Sequence, residues 1–247
     1  MKKLAFIILL LPAYASFAQF GMFAGHKDST STFSVYKNIG LSGQKFDNLN
    51  SRIKNYNQYK ALPEEIFTIG VGSIMQKGHF VALNGFTVGY AMNGNRKKKN
   101  STLGFIGINA DAGYNLFTPA SRAMIYPTVG LGLEGYRARF NKDLGTTSFN
   151  DVLGSNTDQN AIRPVTFYNL FFNYRFGLNF ALQSQDRTGA VGLQLGYTGS
   201  FNDNSWSTNY NQVLTNSPQD RLSRLFANLY FTKNLNWGQH HGMMGMW

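Results

Sequence analysis

Between Val165 and Leu182 apolar and polar positions alternate with a period of two. Tyr168, Leu170, Phe172, Tyr174, Phe176, Leu178, Phe180 and Leu182 form one aromatic-rich apolar face. Asn169, Asn173, Arg175, Gly177 and Asn179 form the other, with Phe171 as its apolar exception. Successive side chains of a strand point to opposite faces, so this pattern predicts a β-strand. It is far longer than the roughly five or six residues usual for soluble strands. An apolar face backed by Asn, Arg and Gly suits a strand with lipid on one side and a polar lumen on the other.

Seven more segments carry the same alternation. Phe33–Leu41 sets Phe33, Val35, Ile39 and Leu41 on one face, interrupted by Lys37. Glu65–Met75 opposes Phe67, Ile69, Val71 and Met75 to Thr68, Gly70 and Gly72. Phe80–Met92 sends Phe80, Ala82, Phe86, Val88 and Tyr90 outward, with Asn84 as a misfit. In Thr102–Phe117 the residues Ile106, Ile108, Ala110, Ala112, Tyr114 and Leu116 oppose Gly107, Asn109, Asp111, Gly113 and Asn115. Arg122–Phe140 opposes Ile125, Val129, Leu131 and Leu133 to Tyr126, Thr128, Gly130, Gly132 and Glu134. Gly189–Phe201 and Ser223–Lys233 complete the set, with Val191, Leu193, Leu195 and Tyr197, then Leu225, Ala227, Leu229 and Phe231, facing outward.

One segment departs from this period. From Ser42 to Lys60 the residues Phe46, Leu49, Ile53 and Tyr56 recur at three- and four-residue spacing, which predicts a helix capped by Ser42 or Asp47 and stopped at Leu62-Pro63. It is a docking element, a lid over the barrel mouth, or a short helix covering the barrel's own rim.

The joins decide the topology. Long connections at Ser42–Lys60, Asn93–Asn100, Asn141–Ile162 and Asn202–Arg221 alternate with short turns at Lys77-Gly78, Thr118–Ser121 and Gln183–Thr188. Short periplasmic turns alternating with longer extracellular loops, and an even strand number, mark bacterial outer membrane barrels. The prediction is an all-β, eight-stranded, up-and-down antiparallel transmembrane barrel over residues 33–233, with a short helix in its first long loop.

The ends place the chain outside the cytoplasm. Lys2 and Lys3, the apolar Leu4–Leu11 and the small residues at Ala15 and Ala18 predict a secretory signal peptide over residues 1–18, cleaved after Ala18. A periplasmic lead-in over 19–32 and a His/Met tail over 234–247 then flank the barrel. The absence of cysteine excludes disulfides and thiol chemistry. Aromatic residues at 15% and 26 glycines are a heavy load for a soluble helical protein, but suit a barrel with aromatic girdles. The net charge of +11 falls to +9 with loss of Lys2 and Lys3. For an exported chain this charge points to anionic lipid head groups rather than nucleic acid.

Taken together, the signal peptide, eight alternating segments and aromatic outer faces resemble a small OmpA-type or OmpX-type outer membrane β-barrel. The cysteine-free, Asn-, Tyr- and Phe-rich style is similar to barrels of Bacteroidota-like bacteria. The resemblance rests on pattern over residues 33–233 and brings no active-site residue with it. It implies a cell-envelope protein of a Gram-negative bacterium.

Four constellations are candidates for chemistry. Asp111, Glu134, Arg175 and Arg224 all fall on inward faces. An eight-stranded barrel is just wide enough to be filled by side chains, and isolated buried charge is costly. The set therefore reads as an ion-pair network plugging the lumen, or alternatively as an ion-conducting gate. Arg96, Lys97, Lys98 and Lys99 form an outer loop, either simply solvated or in contact with lipopolysaccharide phosphates. The Ser42–Lys60 segment is the third. In the tail, His240, His241, Met243 and Met244 are weak candidates for a soft metal such as copper, the expected state being no metal and no cofactor.

Catalysis is disfavoured. The histidines of the mature chain are His26, His79, His240 and His241, none placed near the outer leaflet where a lipid hydrolase would need one. No phosphate loop, His-Glu-x-x-His or nucleophile elbow occurs. The expected role is non-enzymatic, structural or surface-interacting, with a plugged lumen, in a monomer that meets outer membrane lipids, lipopolysaccharide or an envelope protein. The alternative is a small channel or transport-associated barrel.

Overall fold

The computed structural model describes residues 31–95, 98–142, 148–208 and 214–235. The expected signal peptide, most of the lead-in, Arg96, Lys97 and nearly all of the tail lie outside the described residues.

Eight strands close into an antiparallel barrel. They are β1 (Ser31–Gln44), β2 (Glu65–Lys77), β3 (Phe80–Gly94), β4 (Asn100–Tyr114), β5 (Ala123–Asn141), β6 (Val165–Gln183), β7 (Gly189–Ser200) and, last in the chain, β10 (Ser223–Asn234). Each pairs with its neighbour in sequence, and β1 returns to β10 to leave no free edge. Closure satisfies every strand's backbone groups within the sheet, which a lipid-facing sheet requires. Two paired residues on each side, β8 (Asn204–Ser205) and β9 (Gln219–Asp220), form a miniature sheet in the last outer loop.

The alternation seen in the sequence sorts the two faces. Val71, Phe86, Ile108, Leu131, Phe176 and Leu195 point outward and are exposed. Along β5 the outward apolar positions run from Ile125 to Leu133. At ~3.4 Å per residue and a tilt near 40° this makes a band of about 20 Å, matching the belt of outer membrane barrels. Lys37 and Asn84 share the outward face of their strands, Lys37 beside Phe231 and Asn84 between Ser73 and Ala110. Gly78 takes φ +59° at the β2–β3 turn, a conformation that glycine adopts without strain.

Local structure differs from expectation in the loops. β1 runs on to Gln44, so Ser42 is a buried inward strand residue rather than a helix cap. The helix of the first outer loop, α1, is confined to Asp47–Lys54. Phe46, Leu49 and Ile53 are buried as their spacing implies, whereas Tyr56 lies beyond the helix and is exposed. Two further short helices, α2 (Phe149–Gly154) and α3 (Asn156–Ile162), occupy the polar β5–β6 loop, where no apolar period announced them. Among the described residues no helix is long and apolar enough to cross a membrane.

Candidate functional site

The inward side chains form three layers. The middle one is ionic. Register places Asp111, Gly130 and Arg175 side by side on β4, β5 and β6. Arg175 Nε donates to Asp111 Oδ1 at 3.2 Å, and Asn109 Nδ2 donates to Asp111 Oδ2 at 2.7 Å. The pair spans the gap because Gly130 has no side chain there; a Cβ on it would collide with Asp111 Oδ1. Glu134 on β5 meets Arg224 on β10 at 2.5 Å, and Tyr136 donates its hydroxyl to the other carboxylate oxygen at 2.8 Å. Each guanidinium also lies over a ring: Arg175 over Phe226 at 4.8 Å and Arg224 over Phe105 at 4.4 Å. All four charged residues are buried. Desolvation makes such charges costly singly, and the two pairs carry no net charge.

Polar groups extend this layer downward. Asn179 donates to Thr128 Oγ1 at 3.3 Å, and Asn228 donates to Gln194 Oε1 at 3.1 Å. Asn173, Thr198 Oγ1 and Arg224 Nε are buried with no partner among the described residues.

Above the ionic layer sits an apolar one. Ile66, Leu103, Phe105, Tyr136, Ala138, Phe140 and Phe171 point inward from β2, β4, β5 and β6. Phe171, the apolar exception of its face, stacks on Phe46 at 5.8 Å and meets Tyr136 edge-on at 5.7 Å. Leu49 and Ile53 of helix α1, with Phe46 just before it, lie on this surface and so cover one mouth of the barrel. Burying each such side chain contributes roughly 1.5–3 kcal/mol.

What pins α1 comes from the far end of the chain. The Asp220 carboxylate accepts from the backbone N–H groups of Asn48 and Leu49 at 2.9 and 3.1 Å, and from Trp206 Nε1 at 2.7 Å. The helix has no cap from its own side chains, so a carboxylate more than 170 residues away satisfies two of its first free N–H groups. Burial pushes the Asp220 carboxyl up from its ordinary value, against the lowering pull of Trp206, Asn48 and Leu49. Sequence reasoning missed this clamp. Its one visible signal was a lone tryptophan in a polar loop.

Below the ionic layer lies a second apolar group of Val81, Leu83, Tyr126, Ala181, Ala190 and Tyr230, with Tyr36, Ile74 and Met124 against it. The Tyr126 and Tyr230 hydroxyls meet at 2.7 Å. Two small cavities lie among the described residues of this lower half. One of about 20 Å³ lies among Thr32, Gln76, Met124, Tyr126 and Tyr230, and one of about 10 Å³ lies among Tyr36, Asn38, Leu83 and Gln194. Each has the volume of about one water molecule.

The other sequence candidates are described only in part. Of the basic loop, Lys98 and Lys99 are described, and Lys99 Nζ donates to the Asn57 carbonyl at 2.8 Å, tying the loop to the segment after α1. Arg96 and Lys97, and the tail residues His240, His241, Met243 and Met244, lie outside the described residues. His79, at the β2–β3 turn, stacks on Tyr114 and bonds the Asn115 carbonyl at 2.7 Å.

No protein-family model matches the chain, and no curated protein matches its sequence. Solved barrels are similar in fold. A major outer membrane protein from Thermus thermophilus is 10% identical, over 83% of this chain and 99% of that one, with a TM-score of 0.50. Ail, the attachment invasion locus protein of Yersinia pestis, is 11% identical over the same shares, with a TM-score of 0.49. Neisserial surface protein A is 14% identical over 81% and 97%, with a TM-score of 0.41. The likeness to the Thermus thermophilus outer membrane protein is one of fold alone.

Proposed function

We propose that this chain is a non-enzymatic outer membrane protein, exported with cleavage near Ala18, whose lumen is plugged and whose extracellular loops act as an interaction surface. The observation that carries the reading is the layered interior. Apolar groups close both ends around two neutralised ion pairs, and two cavities among the described residues of the lower half have room for about one water each. Asp111, Glu134, Arg175 and Arg224 then serve as the structural ion-pair network of the plug. The basic run Arg96–Lys99 is the loop suited to phosphates of lipopolysaccharide, through close-range electrostatic attraction.

Single-channel recording of the refolded barrel, checked first for heat-modifiable migration, tests the plug. Silence is the expected result. A steady current would favour the channel reading instead, to which the buried, unpartnered Asn173, Thr198 Oγ1 and Arg224 Nε lend support as groups able to hold water in the path. Neutralising Arg96–Lys99 together is expected to weaken adsorption to lipopolysaccharide-coated surfaces. Unchanged adsorption would remove the loop from that role.

A further inference from the structure

The outer wall of the barrel carries a patch separate from the loops. Across β3, β4, β5 and β6 the register builds rows of outward side chains. One row is Val88, Ile106, Gly135 and Leu170; the next towards the extracellular side is Tyr90, Gly104, Arg137 and Tyr168; the next is Met92, Thr102, Arg139 and Thr166. Arg137 and Arg139 are both exposed and stand on one face of β5, just above the apolar belt. Arg137 leans over the Tyr168 ring at 6.0 Å. Among the described residues no carboxylate pairs with either guanidinium.

Beneath them the wall is hollow. Gly104 lies opposite Arg137, and Gly135 lies opposite Ile106. Neither glycine is required by crowding. A Cβ at Gly104 would meet only Gly89 O at 3.7 Å, and one at Gly135 only Leu170 Cδ1 at 3.7 Å and Ile106 Cγ1 at 3.9 Å, all ordinary contacts. The two glycines thus leave a trough walled by Tyr90, Ile106 and Leu170, all exposed, that opens upward onto the two arginines and the Thr102 hydroxyl.

We infer that this trough is a binding site for a phosphorylated lipid of the outer leaflet. An acyl chain lies over Gly104 and Gly135, and its head-group phosphate is held by Arg137 and Arg139. Guanidinium suits this task because its planar fork donates two parallel hydrogen bonds to a phosphate. The depth fits as well, since tyrosines mark the membrane–water interface and Tyr90 and Tyr168 share a row with Arg137. The site rests on the outer membrane reading but is separate from the Arg96–Lys99 loop.

The test uses the whole barrel in phosphatidylcholine nanodiscs, with bisphosphorylated lipid A and its dephosphorylated form as probes and bound lipid counted by native mass spectrometry. Wild type is expected to retain the phosphorylated form preferentially, each guanidinium adding roughly tenfold to the preference, as one charge-assisted hydrogen bond to phosphate does. R137Q/R139Q abolishes the preference. G104L/G135L, which fills the trough, lowers retention of both forms. Equal retention by wild type and R137Q/R139Q overturns the site. So does a drop confined to a variant neutralised at Arg96–Lys99, which assigns the phosphate to the loop. Displacement of the lipid by millimolar inorganic phosphate alone would make it a free-anion site and overturn the lipid assignment. Failure to insert into bilayers would overturn the outer membrane reading itself, whereas insertion without lipid preference overturns this inference alone.

Discussion

Gly130 and Arg224 show how single residues hold the interior. Truncating Arg224 leaves Glu134 buried without its partner, so Arg224→Ala is expected to cost about 3–5 kcal/mol in urea unfolding of the lipid-embedded barrel. The double change Glu134→Gln with Arg224→Met removes both charges and is expected to cost markedly less. Equal losses would mean that the pair is not the source of the penalty. Gly130→Ala sets a methyl against Asp111 Oδ1 and has no flexible neighbour to yield except the carboxylate itself. A loss of about 1–3 kcal/mol, with the Asp111–Arg175 pair displaced, is the expected result. Stability equal to wild type would show that the pair tolerates a shift. All four charges were readable as inward from alternation alone. Their partners were not, because pairing depends on which strands face each other across the lumen.

Helix α1 is an element whose position is decided elsewhere in the chain. Its apolar face supplies adhesion to the mouth, and Asp220 supplies the cap. Asp220→Ala is expected to cost about 1–2 kcal/mol and to speed backbone hydrogen exchange in Asp47–Lys54. Asp220→Asn keeps an acceptor oxygen and is expected to retain most of the protection. The pH dependence has a definite sign. A carboxyl whose folded pKa is raised above its ordinary value of 3.8 contributes most below that value, and the contribution is lost as pH rises through the folded pKa. Mild acid is therefore expected to hold α1 in place rather than release it, and Asp220→Asn to flatten that dependence. Release of α1 on mild acidification would contradict the burial-dominated shift. The helix itself was legible from Phe46, Leu49 and Ile53. Its true start was not, since Ser42 and Gln44 continue the strand's alternation into β1, and that extension emerges only through pairing with β10.

At the scale of the whole molecule the layers act in series. Removing the lower one by Tyr126→Ala with Tyr230→Ala leaves the ion pairs and the α1-covered mouth intact, so this variant is expected to stay silent in planar bilayers. A current from it would locate the seal in the lower layer alone. Adding Asp111→Ala, Arg175→Ala and Phe46→Ala removes parts of all three layers, and conductance is then expected. The layering also adds to the expected polar lumen, in which Phe171 was the apolar exception. Val81, Leu83 and Phe171 are apolar yet inward, because above and below the charges the barrel is closed by packing rather than hydration.

The order of eight strands, their alternation and the alternation of short turns with long loops were written in the chain, because a period of two is a local property that each strand declares for itself. The inward placement of Asp111, Glu134, Arg175 and Arg224 followed from the same period. Tertiary structure alone decided what meets across the lumen and along the wall. The clamp of Asp220 on α1 and the Gly104–Gly135 trough beneath Arg137 join residues from different strands and loops. Strand register and barrel closure set those distances, and neither leaves a mark in a local pattern.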